Sequence, residues 1–372
     1  MPLVCIAVVL AAGVCTADVD IFELQGELGP VTVTRAHRGS ALPGQAPNIA
    51  CIAPLPTGGV LVARHGRRKG PEPIWSVADG QASVAFEMPE GDAQVLSMVA
   101  HGDRAYIGTT EGLFLKKEGQ PVERPAFLHR QAIGTVCFTG PRVVAQPVAQ
   151  VAMDSAGNVW LRTEAPRGRG IYTFPVEPGT WWTEEGDQRH EWTIPPLYDM
   201  RWTVDPLSLA VGDRAYACFR SDARRPQALL PKLPIHGMTE PFVGDTLLPP
   251  VIEPVLAPAA DGGVWLAGEA DRGAVVLRIT DDRVEDHSPP AELIGRSRIV
   301  DMAATADRVY LATDRAGVLV FGADGWRMHP VTEGILPMPD MALRAVERVV
   351  IDGAGDLWVS SNETLLHWVG DD

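Results

Sequence analysis

Short apolar runs alternate with clusters of turn-forming residues along the whole of this chain. The clearest unit is DSAGNVWLRT at 154–163. Asp154, Ser155, Gly157 and Asn158 have the chemistry of a tight turn, and Val159, Trp160 and Leu161 are strand formers. The unit returns as DGAGDLWVSS at 352–361 and as ADGGVWLAG at 260–268. Weaker copies are TGGVLVAR at 57–64, GDRAYIGT at 102–109, GDRAYACF at 212–219 and ADRVYLAT at 306–313. Their central residues are Leu61, Tyr106, Trp160, Tyr216, Trp265, Tyr310 and Trp358, which are 45, 54, 56, 49, 45 and 48 residues apart. An all-β unit repeated at such a period predicts a seven-bladed β-propeller, a ring of four-stranded sheets.

Each copy places an inner strand A before the turn and a strand B on the central residue. Strands C and D follow, as at 49–54, 60–64, 74–77 and 83–86 in the first blade. The last blade has 346–351, 357–360 and 364–368, and there the chain ends one strand short. Spare strand patterns lie at 21–24 and 31–35. One of them is expected outside 364–368, so that the last blade is shared by both ends and no edge is left open. Three connections exceed ordinary loop length. Residues 128–147 carry a candidate hairpin, 134–138 with 142–146. Residues 184–203 are expected to join blades three and four, with Trp181 and Trp182 before them as strand D. Residues 233–253 are proline-rich and join blades four and five.

Length alone would suggest two or three domains, but the repeat makes one ring of residues 18–372. The 32 prolines, 37 glycines and 46% hydrophobic residues suit a turn-rich protein with ample core. The net charge of −15 repels phosphate backbones, so nucleic acid is not an expected partner. Residues 2–14 are apolar and are followed by Cys15, Thr16 and Ala17. The run is too short for a bilayer and reads as a signal peptide, 1–17, cleaved before Asp18. Lipidation at Cys15 and a buried first strand are the alternatives. The remainder keeps Cys51, Cys137 and Cys218, an odd set that reads as small buried hydrophobes rather than a disulfide framework.

The run Asp154, Gly157, Asn158, Val159, Trp160, Leu161, Thr163 resembles the two-component regulator propeller repeat. Asp352, Gly355, Asp356, Leu357, Trp358 and Val359 form a second match. Thr109 to Leu113 and Thr313 to Val318 match the tail of the pattern. The resemblance implies an exported propeller of the kind that forms the extracellular sensor half of histidine kinases. No kinase segment accompanies it, and it carries no catalytic residue to transfer.

Candidate chemistry follows from position in the repeat. The residue four places after each centre is His65, Thr110, Glu164, Arg220, Glu269, Asp314 and Asn362. All are polar, and all sit where strand B leaves its blade, so they should ring one face, with Arg169 beside them. Mixed charge around a mouth grips a small molecule, a glycan or a protein. Polar strand ends also meet water for no functional reason. Trp192 and Tyr198, in the 184–203 connection, are expected to reach this face near Arg220. Their rings suit a sugar, or else pin down a long loop.

Inner strands begin with Ser97, Gln150, Ser208, Asp301 and Arg348, expected to line a channel. A calcium-dependent lactonase would need converging carboxylates there; Asp301 and Glu253 stand alone, so neither metal nor cofactor is expected. No G-x-S-x-G elbow and no phosphate-binding loop is present. The expected function is an exported, non-catalytic binding module. The alternative is a carbohydrate-active or lactone-hydrolysing enzyme at the channel mouth.

Overall fold

The computed structural model describes residues 33–35, 49–64, 73–78, 81–89, 91–131, 138–155, 157–164, 170–175, 181–185, 188–192, 195–199, 205–212, 215–220, 228–231, 246–247, 251–271, 273–280, 283–334, 345–361 and 364–369. The structure is all-β apart from a short helix, Ala291–Ile294, and a 3-10 turn, Pro330–Gly334.

Every central residue lies on the second strand of an antiparallel hairpin. The first strands are Ile49–Pro54, Val95–His101, Val148–Met153, Asp205–Val211, Ile252–Pro258, Ile299–Ala304 and Arg348–Ile351. Their partners are Val60–Arg64, Arg104–Thr109, Asn158–Thr163, Ala215–Arg220, Val264–Ala270, Val309–Thr313 and Leu357–Ser361. We number the seven sheets in this order. The first strands touch one another in chain order, and Arg348–Ile351 touches Ile49–Pro54. On the outside of sheet seven, Val33–Arg35 pairs antiparallel with Thr364–Trp368, Thr34 opposite His367.

The second strands are apolar on both faces because a sheet packs on each side of them. Leu357 and Val359 join a cluster with Tyr310 of sheet six, whereas Trp358 packs with Ile49, Val60 and Trp75 of sheet one. The central residue faces the following sheet in five further cases: Leu61, Tyr106, Tyr216, Trp265 and Tyr310 do the same. One large side chain per interface is therefore what the period encodes.

The turn residues have an equally specific use. Asp154 accepts hydrogen bonds from the Asn158 backbone (2.7 Å) and the Trp160 indole (2.9 Å). Asp352 accepts from Ala354 (2.9 Å) and Asp356 (3.0 Å), from the Trp358 indole (2.8 Å) and from Gly59 of sheet one (2.6 Å). Gly157 and Gly355 turn the chain at φ 79° and 91°, where other side chains are strained. Sheet five lacks an aspartate at the equivalent Ala259. There Asp261 instead binds Arg278, whose guanidinium lies 5.2 Å from the Trp265 ring.

Three expectations are corrected. The hairpin in the second connection is Ala126–Gln131 with Phe138–Val143, and it extends sheet three. Phe127 and Leu128 are fully buried there, with Phe127 4.5 Å from Phe174, so that burial rather than the turn residues fixed the register. Trp181 and Trp182 are not the fourth strand of sheet three. Trp181–Glu185 pairs with Gln188–Trp192 in a separate ribbon, and Pro196–Asp199 is the strand beside Gly170–Pro175. Residues 184–203 are accordingly not a simple link between sheets.

The polar residues of the inner strands do more than meet channel water. A register shift precedes them in sheets one to four and in sheet six, leaving each opposite the residue two places after its centre. From there they reach the next sheet. Ser97 Oγ accepts the Val151 N–H (3.0 Å), Gln150 Oε1 the Leu209 N–H (3.1 Å) and Asp301 Oδ2 the Val349 N–H (3.0 Å).

Candidate functional site

In sheets two, three and six the end opposite the A–B turn is built by threonine. The Thr109, Thr163 and Thr313 side chains are fully buried, and their hydroxyls donate to the carbonyls of Gly112, Gly170 and Gly317. These bonds close the B–C loop and set the direction of the next residue. The Thr110, Glu164 and Asp314 N–H groups then donate to the carbonyls of Gln94, Pro147 and Arg298, each just before its own inner strand. Strand B exits and strand A entrances thus share one face.

On this face, sheets five and six assemble a charge cluster. Asp314 accepts from the Arg298 backbone (2.8 Å) and from its Nε (3.0 Å). Arg298 Nη1 lies 3.4 Å from Glu253 Oε2, and Arg315 Nε lies 3.8 Å from Asp314. Asp314, Glu253 and Glu269 together push the Arg298 guanidinium pKa further upward, the Asp314 hydrogen bond contributing most. Glu253 carries φ 50°, the single positive value outside glycine among the described residues. Arg298, Glu253 and Arg315 are half-exposed or more, and Asp314 is mostly covered. The arrangement offers carboxylate oxygens and a guanidinium edge to a ligand at one spot.

Glu269 lies opposite Ile252, beside Glu253, and the residue that ties Asp314 to Glu253 is Arg298. It was missed because only strand exits were counted as site positions. The signal was available: Arg298 stands just before an inner strand, where Gln94 and Pro147 stand in other sheets. Glu164 is on the same face but pairs with Arg162 of its own sheet (2.8 Å). Arg220 ends its strand opposite Asp205, at the same end of the sheet as Glu164 and Glu269. Tyr198 sits opposite Thr173 on the strand that runs toward this face. Trp192 ends the separate ribbon, opposite Trp181. Its ribbon is inserted after Pro175, which lies opposite Asn158 at the A–B turn end. His65, Arg169 and Asn362 lie outside the described residues.

The other face carries one group that sequence reading did not pick out. Asp352, Asp356 and His367 place ligand-type atoms within 4.8 Å of one another. They do not fit a cation, because the Asp352 oxygens already accept four N–H donors. His367 Nε2 is 3.0 Å from Asp356 Oδ2, and its ring stacks on Trp358 at 3.9 Å. Burial alone would raise the Asp352 carboxyl; the bonds from Gly59, Trp358, Asp356 and Ala354 outweigh it and hold it below the usual range. Burial pushes the thiols of Cys51 and Cys218 up to about 11 and about 12, so both stay protonated and neither is a nucleophile at neutral pH.

No family model matches the chain, and no curated protein matches it. Solved structures do. Streptogramin B lyase is similar over 91% of this chain and 97% of its own, with TM-score 0.56 and 12% identity. The extracellular domain of the putative hybrid two-component system BT4673 from B. thetaiotaomicron is similar over 89% of this chain, with TM-score 0.51 and 13% identity; the match takes in 39% of that longer chain. Both are propellers. YCF48 bound to D1 peptide is similar over 93% of this chain and 97% of its own, with TM-score 0.54 and 12% identity. At such identities the likeness is one of fold, and the fold is a β-propeller. Among the described residues no helix is long and apolar enough to cross a membrane.

Proposed function

We propose that the seven sheets are the blades of one closed ring, and that this exported propeller binds a ligand on the face where strand B exits meet strand A entrances. The observation that carries the reading is the Arg298 cluster, where Glu253 and Asp314 from two blades flank one guanidinium. Similarity to extracellular sensor domains supports export and ligand binding. The same similarity supports the resemblance to the two-component regulator propeller repeat. The ligand is a small molecule, a glycan or a protein, and binding proceeds without bond cleavage.

A second reading is favoured by one observation, the likeness to a lyase. In it the same face turns over a carbohydrate or a lactone. A thermal-shift screen of glycans, lactones and metabolites separates the two. A ligand that raises the melting temperature and is recovered unchanged supports the binding module; product formation supports the enzyme; a shift that survives Arg298→Ala rejects this site. Export is tested by mass spectrometry of the natural protein, which should begin at Asp18; an intact Met1 would reject it.

A further inference from the structure

Five inner strands carry a polar residue at one fixed register position, where sheet one has Cys51 and sheet five Val255, and one member of this belt is unlike the rest. In six sheets the position is filled by Cys51, Ser97, Gln150, Ser208, Asp301 and Arg348, each paired with the residue two places after its sheet's centre. Three of them accept a backbone N–H from the following inner strand. Ser97 takes that of Val151, Gln150 that of Leu209 and Asp301 that of Val349. Those N–H groups all belong to the residue directly after the belt position. They are free to do so because Val151, Leu209 and Val349 point their N–H away from strand B.

In sheet one the corresponding residue is Ile52, opposite Val62 just as Val151 is opposite Leu161. The preceding sheet is the seventh, whose A–B turn docks on the first through the Gly353 N–H and the Leu55 carbonyl (3.0 Å). Its belt residue is Arg348. A guanidinium has five N–H donors and no acceptor. The belt position of sheet seven thus holds a donor where sheets two, three and six hold an acceptor. Among the described residues no carboxylate lies within ion-pair distance of Arg348, although Cys51, Asp301 and Glu347 all feel its charge.

We propose that Arg348 and the Ile52 N–H form a binding site for the carboxylate of a small ligand, just inside the mouth of the ring. The protein already shows what such a group does here. One sheet earlier, Asp301 supplies a carboxylate that accepts the N–H group of Val349. A ligand carboxylate would complete the belt in the same way, its two oxygens matching the planar guanidinium fork. A dianion fits less well in a chain of net charge −15. Burial pushes the Asp301 and Glu347 carboxyls upward against the pull of Arg348, which lowers their competition for it. The inference rests on the proposed ligand-binding face for its route of entry and names one functional group of the ligand.

The test uses acetate, glycolate and sulfate against chloride at equal ionic strength, followed by thermal shift. The wild type should show a saturable upward shift of a few degrees with acetate and glycolate and a smaller one with sulfate. Arg348→Gln should fold, because glutamine can accept the Ile52 N–H as Gln150 accepts that of Leu209, and should lose the carboxylate shift. Arg283→Ala, an exposed arginine paired with Glu285 away from both sites, should keep it; a carboxylate shift lost in Arg298→Ala but kept in Arg348→Gln would put the anion at the surface cluster and overturn the proposal. Equal shifts in wild type and Arg348→Gln, no carboxylate preference in the wild type, or an Arg348→Gln protein that does not fold would each overturn the proposal.

Discussion

The two ends of the blades solve opposite problems. At the A–B turns, sheets three and seven use the same atoms for the same purpose: an aspartate carboxylate gathers the turn N–H groups and the indole of its own blade. The turns also touch their neighbours, Ser155 N–H to the Gly212 carbonyl and Gly353 N–H to that of Leu55. At the other end the buried threonines recur, but the residues beyond them do not. Glu164 pairs within its sheet, whereas Asp314 reaches back to Arg298 and a neighbouring blade's Glu253. Repetition at one end serves folding, which every blade needs alike. Variation at a fixed position at the other end is how a symmetric scaffold makes an asymmetric surface.

The largest expected effect lies at the repetitive end. Trp358 is fully buried, stacks on His367 and binds Asp352. Trp358→Ala should cost about 3–5 kcal/mol in denaturant unfolding. A loss under 1 kcal/mol would mean that the turn brace is not what holds this blade. Next comes a pH effect of defined sign. The folded Asp352 carboxyl is held below its ordinary value of 3.8, so it contributes stability above that value, which is lost as pH falls through the folded pKa. Asp352→Asn should be less stable than wild type at pH 7, with the gap closing in acid. A gap that stays constant from pH 7 to pH 3 contradicts the brace. The smallest effect on stability belongs to the variable end. Arg298→Ala should leave the unfolding midpoint nearly unchanged, since the guanidinium itself is exposed. It should nonetheless weaken binding of a ligand found in the screen about tenfold or more, by loss of a charge-assisted hydrogen bond.

The division between the ends also marks what could be read from the chain. Turn and strand B were legible because five of the copies turn at a left-handed glycine and each has one large residue at its centre; the units around Trp160, Trp265 and Trp358 announced both. The outer strands were less legible. Phe127 reads as an ordinary strand residue, and only its packing against Phe174 shows that its hairpin belongs to sheet three. Trp181 and Trp182 suggested a fourth strand by apolar character, yet Pro196–Asp199 fills that place. Glu269 and Asp314 were legible as strand exits. Arg298 was not, because its importance comes from a pairing across two blades that no local spacing encodes. The inner belt was visible as a row of polar residues, but its hydrogen bonds to the following strand depend on a register shift that sequence does not display.

Hydrogen–deuterium exchange in the presence of a ligand found by the screen tests the comparison most directly. Backbone amides at Thr110, Glu164, Glu269, Arg298 and Asp314 should gain protection on binding, while those at Ser155, Gly157, Gly353 and Gly355 should exchange as in the free protein. Protection confined to the turn amides, with the strand exits unchanged, would place the functional surface on the wrong end of the ring and contradict the account.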